Sequence, residues 1–209
     1  MNEWDERSFE WDLTEESVVF DIGGYEARWA AEMQRRYHPI LHVFEPQPWA
    51  ADKCRVALDD PLGRTFVHEY GLGVLDGRFP MGEFETDGAS FLPRPREQGL
   101  GEMVRIDTFL DVTGIESIDL MLVNIEGYEY ELLPFMIKKG IILRIRNLMV
   151  QFHLFADPSG SATADLRKSI GVSHDILWDY GSTLVAWRQS AGFVKIASTE
   201  TTPFFCGRG

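Results

Sequence analysis

A chain of 209 residues, 44% of them hydrophobic, can bury one core of ordinary size, so a single domain is expected over 1–209. A formal charge of −13 argues against a nucleic-acid partner, which would need a basic face, and against adhesion to an anionic membrane. No 18-residue apolar run exists and the acidic start Met1–Glu6 has no signal-peptide core, while Cys54 and Cys206 are too few for a disulfide scaffold and lack metal spacing; the expectation is a cytoplasmic protein acting on a small molecule, with no metal assigned.

In chain order, residues 1–16 carry Trp4, Phe9 and Trp11 among polar residues and read as an arm or lid packed on the domain. A first strand is expected at 17–22 and a helix over 25–37, with Trp29, Met33 and Tyr37 on one face. A second strand at 40–45 stops at Pro46 and Pro48, a helix covers 49–58, and Asp60-Pro61-Leu62-Gly63 is a turn. The third strand, 64–70, ends at Gly71-Leu72-Gly73. Residues 74–103, rich in Gly, Pro and Asp, read as a β-hairpin or loop insertion that shapes a pocket.

The stretch from Val104 to Leu110 leads without an assigned element to a strand at 119–125 and a helix over 128–139 capped by Gly140. Leu148–Phe152 is a strand ending at His153, a helix is expected over 162–178, and Phe193–Ala197 is a last strand. Alternating strands and helices predict an α/β fold, Rossmann-like, with a mostly parallel sheet covered on both faces.

The first strand breaks at Asp21-Ile22-Gly23-Gly24 and the second ends at Glu45, the pattern by which α/β proteins hold a nucleoside. The full G-x-G-x-x-G of a dinucleotide site is missing, because Tyr25, Glu26 and Ala27 follow the glycine pair. Charge separates the alternatives. A carboxylate at the strand tip repels a pyrophosphate, whereas the sulfonium and ammonium of S-adenosylmethionine attract it.

The chain resembles the FkbM-type methyltransferases, class I enzymes dependent on S-adenosylmethionine. The matching pieces are Val19–Gly24, Val43-Phe44-Glu45-Pro46, Tyr70–Gly73, Asp87–Phe91, Asn124-Ile125-Glu126-Gly127-Tyr128-Glu129 and Val150-Gln151-Phe152-His153, spread from about residue 10 to about 190. Two positions depart from the pattern: Ala27 stands where the family usually has glycine, and Leu122 where it commonly has lysine.

The resemblance implies that Asp21, Gly23, Gly24 and Tyr25 line the amino-acid and ribose portion of S-adenosylmethionine. Glu45, followed by Pro46 in the same wall, would accept the ribose hydroxyls, with Gly71 and Leu72 beside the adenine. Asn124 and Glu126 would stand at the switch point of the sheet, Glu126 holding the cofactor's ammonium, positioning an acceptor hydroxyl or removing its proton. His153, titrating near neutrality, is the other candidate base or a structural residue, and Glu129 needs no role beyond its helix dipole. The implied activity is O-methylation of a sugar, glycan or secondary-metabolite hydroxyl. A dinucleotide-dependent oxidoreductase and a non-catalytic cofactor-binding module are the alternatives.

Overall fold

Runs of β-branched and aromatic residues buried on both sides become the central strands, and the polar-faced segments between them become covering helices. The computed structural model describes residues 6–83, 89–91, 97–181 and 183–191. Its elements are β1 (Val18–Ile22), α1 (Arg28–Tyr37), β2 (Ile40–Phe44), α2 (Pro48–Ala57), β3 (Thr65–His68), β4 (Gly71–Gly73), β5 (Gly77–Glu83), β6 (Ala89–Ser90) and β7 (Glu97–Arg105). There follow α3 (Ile106–Thr113), β8 (Ile118–Val123), α4 (Glu129–Lys138), β9 (Ile145–Gln151), α5 (Ser161–Ile170), β10 (His174–Tyr180) and β11 (Leu184–Gln189).

The main sheet has seven strands in the order β10-β11-β9-β8-β1-β2-β3. Strands β3, β2, β1, β8 and β9 are parallel, and β11 runs antiparallel to both its neighbours. Side-chain alternation splits the core between the two faces. Phe20, Ile22, Phe44, Met121 and Val123 meet α3, α4 and α5 on one side; Val19, Leu41, Val43, Leu120 and Leu122 meet Trp29, Ala30 and Met33 of α1 on the other. Leu122 packs there, 1% exposed, as leucine on a buried strand should.

The described part of the N-terminal arm lies against α1. Trp11 and Trp29 both donate their indole N–H to the Ser8 carbonyl, at 2.9 and 3.1 Å, and the Tyr37 hydroxyl donates to the Phe9 carbonyl at 2.8 Å. Trp11 and Leu13 are buried, so this arm completes a core face.

Several elements differ from the sequence expectation. The helix α1 starts at Arg28 because Tyr25 and Ala27 take left-handed backbone angles that no helix can contain. The strand expected to run from 64 into Gly71 divides: β3 stays in the main sheet and β4 pairs with β7. A second sheet of order β4-β7-β5-β6 therefore occupies the expected insertion, whose hairpin partners β5 and β7 are antiparallel. The unassigned stretch after Arg105 is α3, with Ile106, Phe109 and Leu110 buried at i, i+3 and i+4.

The helix expected over 162–178 ends at Ile170. Gly171 closes it, and His174–Tyr180 forms the edge strand β10, rich in the aromatic and β-branched residues that suit a strand. The strand β11 has no counterpart in the sequence expectation, and the strand expected at 193–197 lies outside the described residues, as does Cys206. Among the described residues no helix is long and apolar enough to cross a membrane.

Inside the face shared with α3, three polar side chains form a short chain. His42 Nδ1 is 3.0 Å from His68 Nε2, His68 Nδ1 is 3.1 Å from the Tyr70 hydroxyl, and Phe109 packs edge-on against both imidazoles. Burial pulls both rings down to about 4, and the neighbouring His68 adds to the effect at His42. In the unfolded chain these imidazoles take up protons near pH 6.5, so their contribution to stability is present above that pH and is lost as pH falls towards 4. The variant His42→Phe, followed by urea denaturation at pH 7.5 and 4.5, is expected to gain on the native chain by roughly 2–3 kcal/mol at the lower pH.

Candidate functional site

Strand order reverses between β1 and β8, and the carboxyl ends of parallel strands at such a point open a crevice. Register brings the tips level: Ile22 pairs with both Phe44 and Val123, and Val123 pairs with Val150. The Asn124 N–H donates to the Ile22 carbonyl at 2.9 Å, while the amides of Gly23 and Gly24 both donate to Phe44, at 3.0 and 3.3 Å. Asp21, Glu45, Asn124, Glu126 and His153 thus come to one end of the sheet from four strands.

The glycine pair fixes how those strands cross. At Gly23, with φ +94°, a Cβ would fall 1.9 Å from the Asn124 carbonyl oxygen; at Gly24 it would fall 2.2 Å from Val43 Cγ1. The room beside both glycines is filled by protein, so their small size serves strand packing in this structure. Tyr25 (φ 45°), Ala27 (φ 56°) and Glu126 (φ 52°) hold left-handed angles around the same rim. Such strain costs roughly 1–2 kcal/mol per residue and gathers where the surroundings over-determine the backbone. Ala27 bears that strain at a position where glycine would be unstrained.

Two carboxyls are buried at the tips of β1 and β2. Asp21 is 2% exposed, and its Oδ1 has no hydrogen-bond partner among the described residues. Glu45 is 3% exposed and accepts the Tyr25 amide on Oε2 and the Gln47 amide on Oε1, each at 2.9 Å. Burial raises Glu45 to about 7 against the pull of those two amides. Burial, and then the Glu45 charge, hold Asp21 well above the usual carboxylate range. Beside them Trp49, 44% exposed, meets the Tyr25 ring edge-on at 5.6 Å and carries Lys53 Nζ over its face at 5.0 Å.

At the tips of β8 and β9 a histidine sits between two glutamates. His153 Nδ1 lies 3.1 Å from Glu129 Oε1, and its Nε2 lies 3.4 Å from Glu126 Oε1. The second contact is an ion pair without hydrogen-bond alignment, so Nε2 is buried with its N–H unspent. Burial alone would lower this imidazole; its contacts with Glu126 and Glu129 and their charges outweigh that and raise the ring to about 9. His153 is therefore an imidazolium at neutral pH. Both ring nitrogens then carry a proton, and it has no lone pair with which to act as a base.

Glu129 does more than favour a helix dipole. It is fully buried, Oε2 accepts the Gly127 amide at 2.8 Å, and Oε1 accepts the His153 backbone amide at 2.7 Å. The carboxylate ties the β8–α4 turn to the end of β9 while facing the imidazolium. The sequence carries the signal: a carboxylate followed by Leu132, Leu133 and Met136 at helical spacing sits on a buried face.

Gly71 and Leu72 lie apart in character. Both are on β4 in the small sheet, the space beside Gly71 is filled by the Phe91 ring 2.7 Å from an added Cβ, and Leu72 is 2% exposed in the core. Their surroundings are apolar packing. Asn124 keeps a buried Oδ1 with no partner among the described residues. Unpaired polar atoms of Asp21, Asn124 and His153 thus stand at the tips of β1, β8 and β9, where a ligand would satisfy them. Two buried acids with no basic partner among the described residues suit a cation and oppose a pyrophosphate.

A family model described as the methyltransferase FkbM domain matches residues 21–184. Among solved structures, a candidate methyltransferase from Streptococcus mutans in complex with SAH is 11% identical with a TM-score of 0.52, over 85% of this chain and 91% of that one. A candidate rRNA methylase from Clostridium thermocellum is 9% identical with a TM-score of 0.52, over 86% of this chain and 89% of that one. A fibrillarin/Nop5p complex is 10% identical, also at 0.52, over 87% and 76%. At these identities the likeness is one of fold. No curated protein sequence matches the chain.

Proposed function

The chain belongs to the FkbM methyltransferase family, whose domain spans residues 21–184, and from that membership we propose that it transfers a methyl group from S-adenosylmethionine to a hydroxyl oxygen of a small-molecule or glycan acceptor in the cytoplasm. The observation that carries the oxygen acceptor is the Glu126–His153 pair, one acceptor and one unspent N–H donor separated by 3.4 Å at the switch point.

When bound, the cofactor supplies a methyl already activated on a sulfonium, so the protein's task is alignment and removal of one proton. Glu45 has one lone pair left on each oxygen for the ribose hydroxyls, and Asp21 and Asn124 offer unpaired oxygens to the cationic amino-acid end. An acceptor hydroxyl between Glu126 and His153 would donate to the carboxylate and accept from the imidazolium. Those two bonds would leave one lone pair of a tetrahedral oxygen free. Glu126 would take the hydroxyl proton and His153 would orient the oxygen as a donor, while the bound cofactor would supply the methyl, its S–C bonding pair staying on sulfur as the neutral thioether leaves.

A candidate rRNA methylase is among the solved structures of this fold, but a net charge of −13 opposes the counterion-releasing contacts with a phosphate backbone that RNA binding draws on. A small acceptor suits the charge better.

Calorimetric titration with S-adenosylhomocysteine tests the cofactor half. Glu45→Ala is expected to weaken binding by roughly 10–100-fold, the worth of charged hydrogen bonds to two hydroxyls, while its two freed amides reach water. Equal affinity in both proteins would remove Glu45 from the ribose. For the acceptor half, labelled methyl transfer to a panel of sugars and hydroxylated metabolites should fall by about 100-fold or more in Glu126→Gln.

A further inference from the structure

Among the described residues no lysine, arginine or histidine pairs with Asp21, although its carboxyl is 2% exposed. Its strand neighbours are apolar, Val43 on β2 and Leu122 on β8, and the charge that bears on it among the described residues is that of Glu45, just past β2. The helix α2 brings the Cys54 thiol, which donates to the Tyr25 carbonyl at 3.0 Å and is pushed up to about 12 by burial, then by Asp21 and Glu45. The nearby cations are engaged at the surface: Arg55 with Asp52 and Glu69, Lys53 and Arg28 with Glu26.

An ionised carboxylate buried without a counter-charge costs several kcal/mol, and a group in that position keeps its proton instead. Glu45 shares the pocket, so the two carboxyls titrate as a pair and lose their protons one after the other. A positive charge arriving within about 4–6 Å reverses the balance and lowers the pair by 1–3 pH units.

We propose that Asp21 is a proton-exchanging counter-ion: the crevice takes up a cationic ligand by releasing the proton of this buried carboxyl, so that cation binding and proton release are one event. The inference rests on S-adenosylmethionine being the ligand and adds what its binding does to the protein. The step is an acid dissociation, with the O–H bond of Asp21 breaking and its proton passing to buffer. Affinity for the cation then rises with pH by up to about tenfold per unit while the free pair still holds its proton, and a neutral nucleoside gains nothing.

The test is calorimetry at pH 7 in buffers of low and high ionisation enthalpy, which converts buffer-dependent heat into protons released. Native protein is expected to release a measurable fraction of a proton with S-adenosylmethionine and clearly less with adenosine, which lacks a cation. Release of the same size with S-adenosylhomocysteine assigns the ammonium, and release with S-adenosylmethionine alone assigns the sulfonium; both support the proposal. In Asp21→Asn, which keeps the shape, release should vanish and affinity fall by about tenfold or more.

That variant, unliganded, should melt no lower than the native protein at pH 8, because it has no carboxyl to ionise there. Binding of S-adenosylmethionine to native protein without proton release overturns the proposal and leaves the cofactor assignment standing. Undiminished release in Asp21→Asn also overturns it. Failure of the native protein to bind either adenosyl compound overturns both.

Discussion

Replacing Glu129 with leucine is expected to lower folding stability by about 3–5 kcal/mol, the usual loss when one partner of a buried ionic group is removed. Leucine would fill much of the space. It would leave the amides of Gly127 and His153 without acceptors in a fully buried place and the imidazolium with one carboxylate instead of two. Urea denaturation at pH 7 measures the loss, and a value under about 1 kcal/mol would mean that the clamp is dispensable.

Glu129→Gln separates the charge from the shape. In the native protein His153 is raised to about 9 when folded against about 6.5 when unfolded. The stability from that difference, about 3 kcal/mol, is fully present below pH 6.5 and is lost as pH rises through 9. Glutamine removes one of the two carboxylates responsible, so the imidazole should titrate lower, and stability should fall less steeply between pH 6.5 and 9. The imidazole proton resonances of His153 followed by NMR report the first effect, and denaturation at several pH values reports the second.

Gly23→Ala should be the more damaging change to the crevice. Its Cβ would overlap the Asn124 carbonyl oxygen, a backbone atom that moves only if β8 moves, and its φ of +94° is unfavourable to any L side chain. A loss of about 3 kcal/mol or more is expected, together with loss of adenosyl-ligand binding, because the displaced strand carries Asn124 and Glu126. Gly63→Ala provides the contrast. That residue also has a positive φ, but nothing lies within 4 Å of an added Cβ, so only about 1 kcal/mol of backbone strain should appear. Equal effects of the two alanines on melting temperature would show that close packing at the strand crossing is unimportant.

The central strands were legible because β1, β2, β8 and β9 are apolar runs buried on both faces, and β1 and β2 break into glycine or proline at their tips. The family was legible from Asn124–Glu129 for a related reason: a turn with two left-handed residues, Glu126 and Gly127, tolerates few sequences. The end of the chain was harder to read. Leu166 and Ile170 establish a helical face that Leu177 and Trp178 continue in sequence spacing, while Gly171 ends the helix between them. The small sheet shows in the sequence only as a hairpin, because β4 is three residues long and its partner β7 follows across a stretch of glycine and proline.

At the crevice, charge states did not follow from residue types. A histidine near a strand end suggests a titrating base until Glu126 and Glu129 are found on its two nitrogens. A strand-tip aspartate suggests an ionised group until its surroundings prove to hold no cation. Both properties arise from contacts between residues far apart in sequence.

The pairing of β1 with β8 has a consequence in time. Val19 stands opposite Leu120, and the Val18 amide reaches the Asp119 carboxylate at a sequence separation of 101. Contacts that close so large a loop form late and slowly. During synthesis the β1–β2 half emerges first with its buried acids lacking one wall of their pocket, and it must wait for β8 and β9 before a nucleoside has anywhere to sit. Ligand added to refolding chains should therefore leave the early collapse untouched and act only on the last step, by holding the two halves together once they have met.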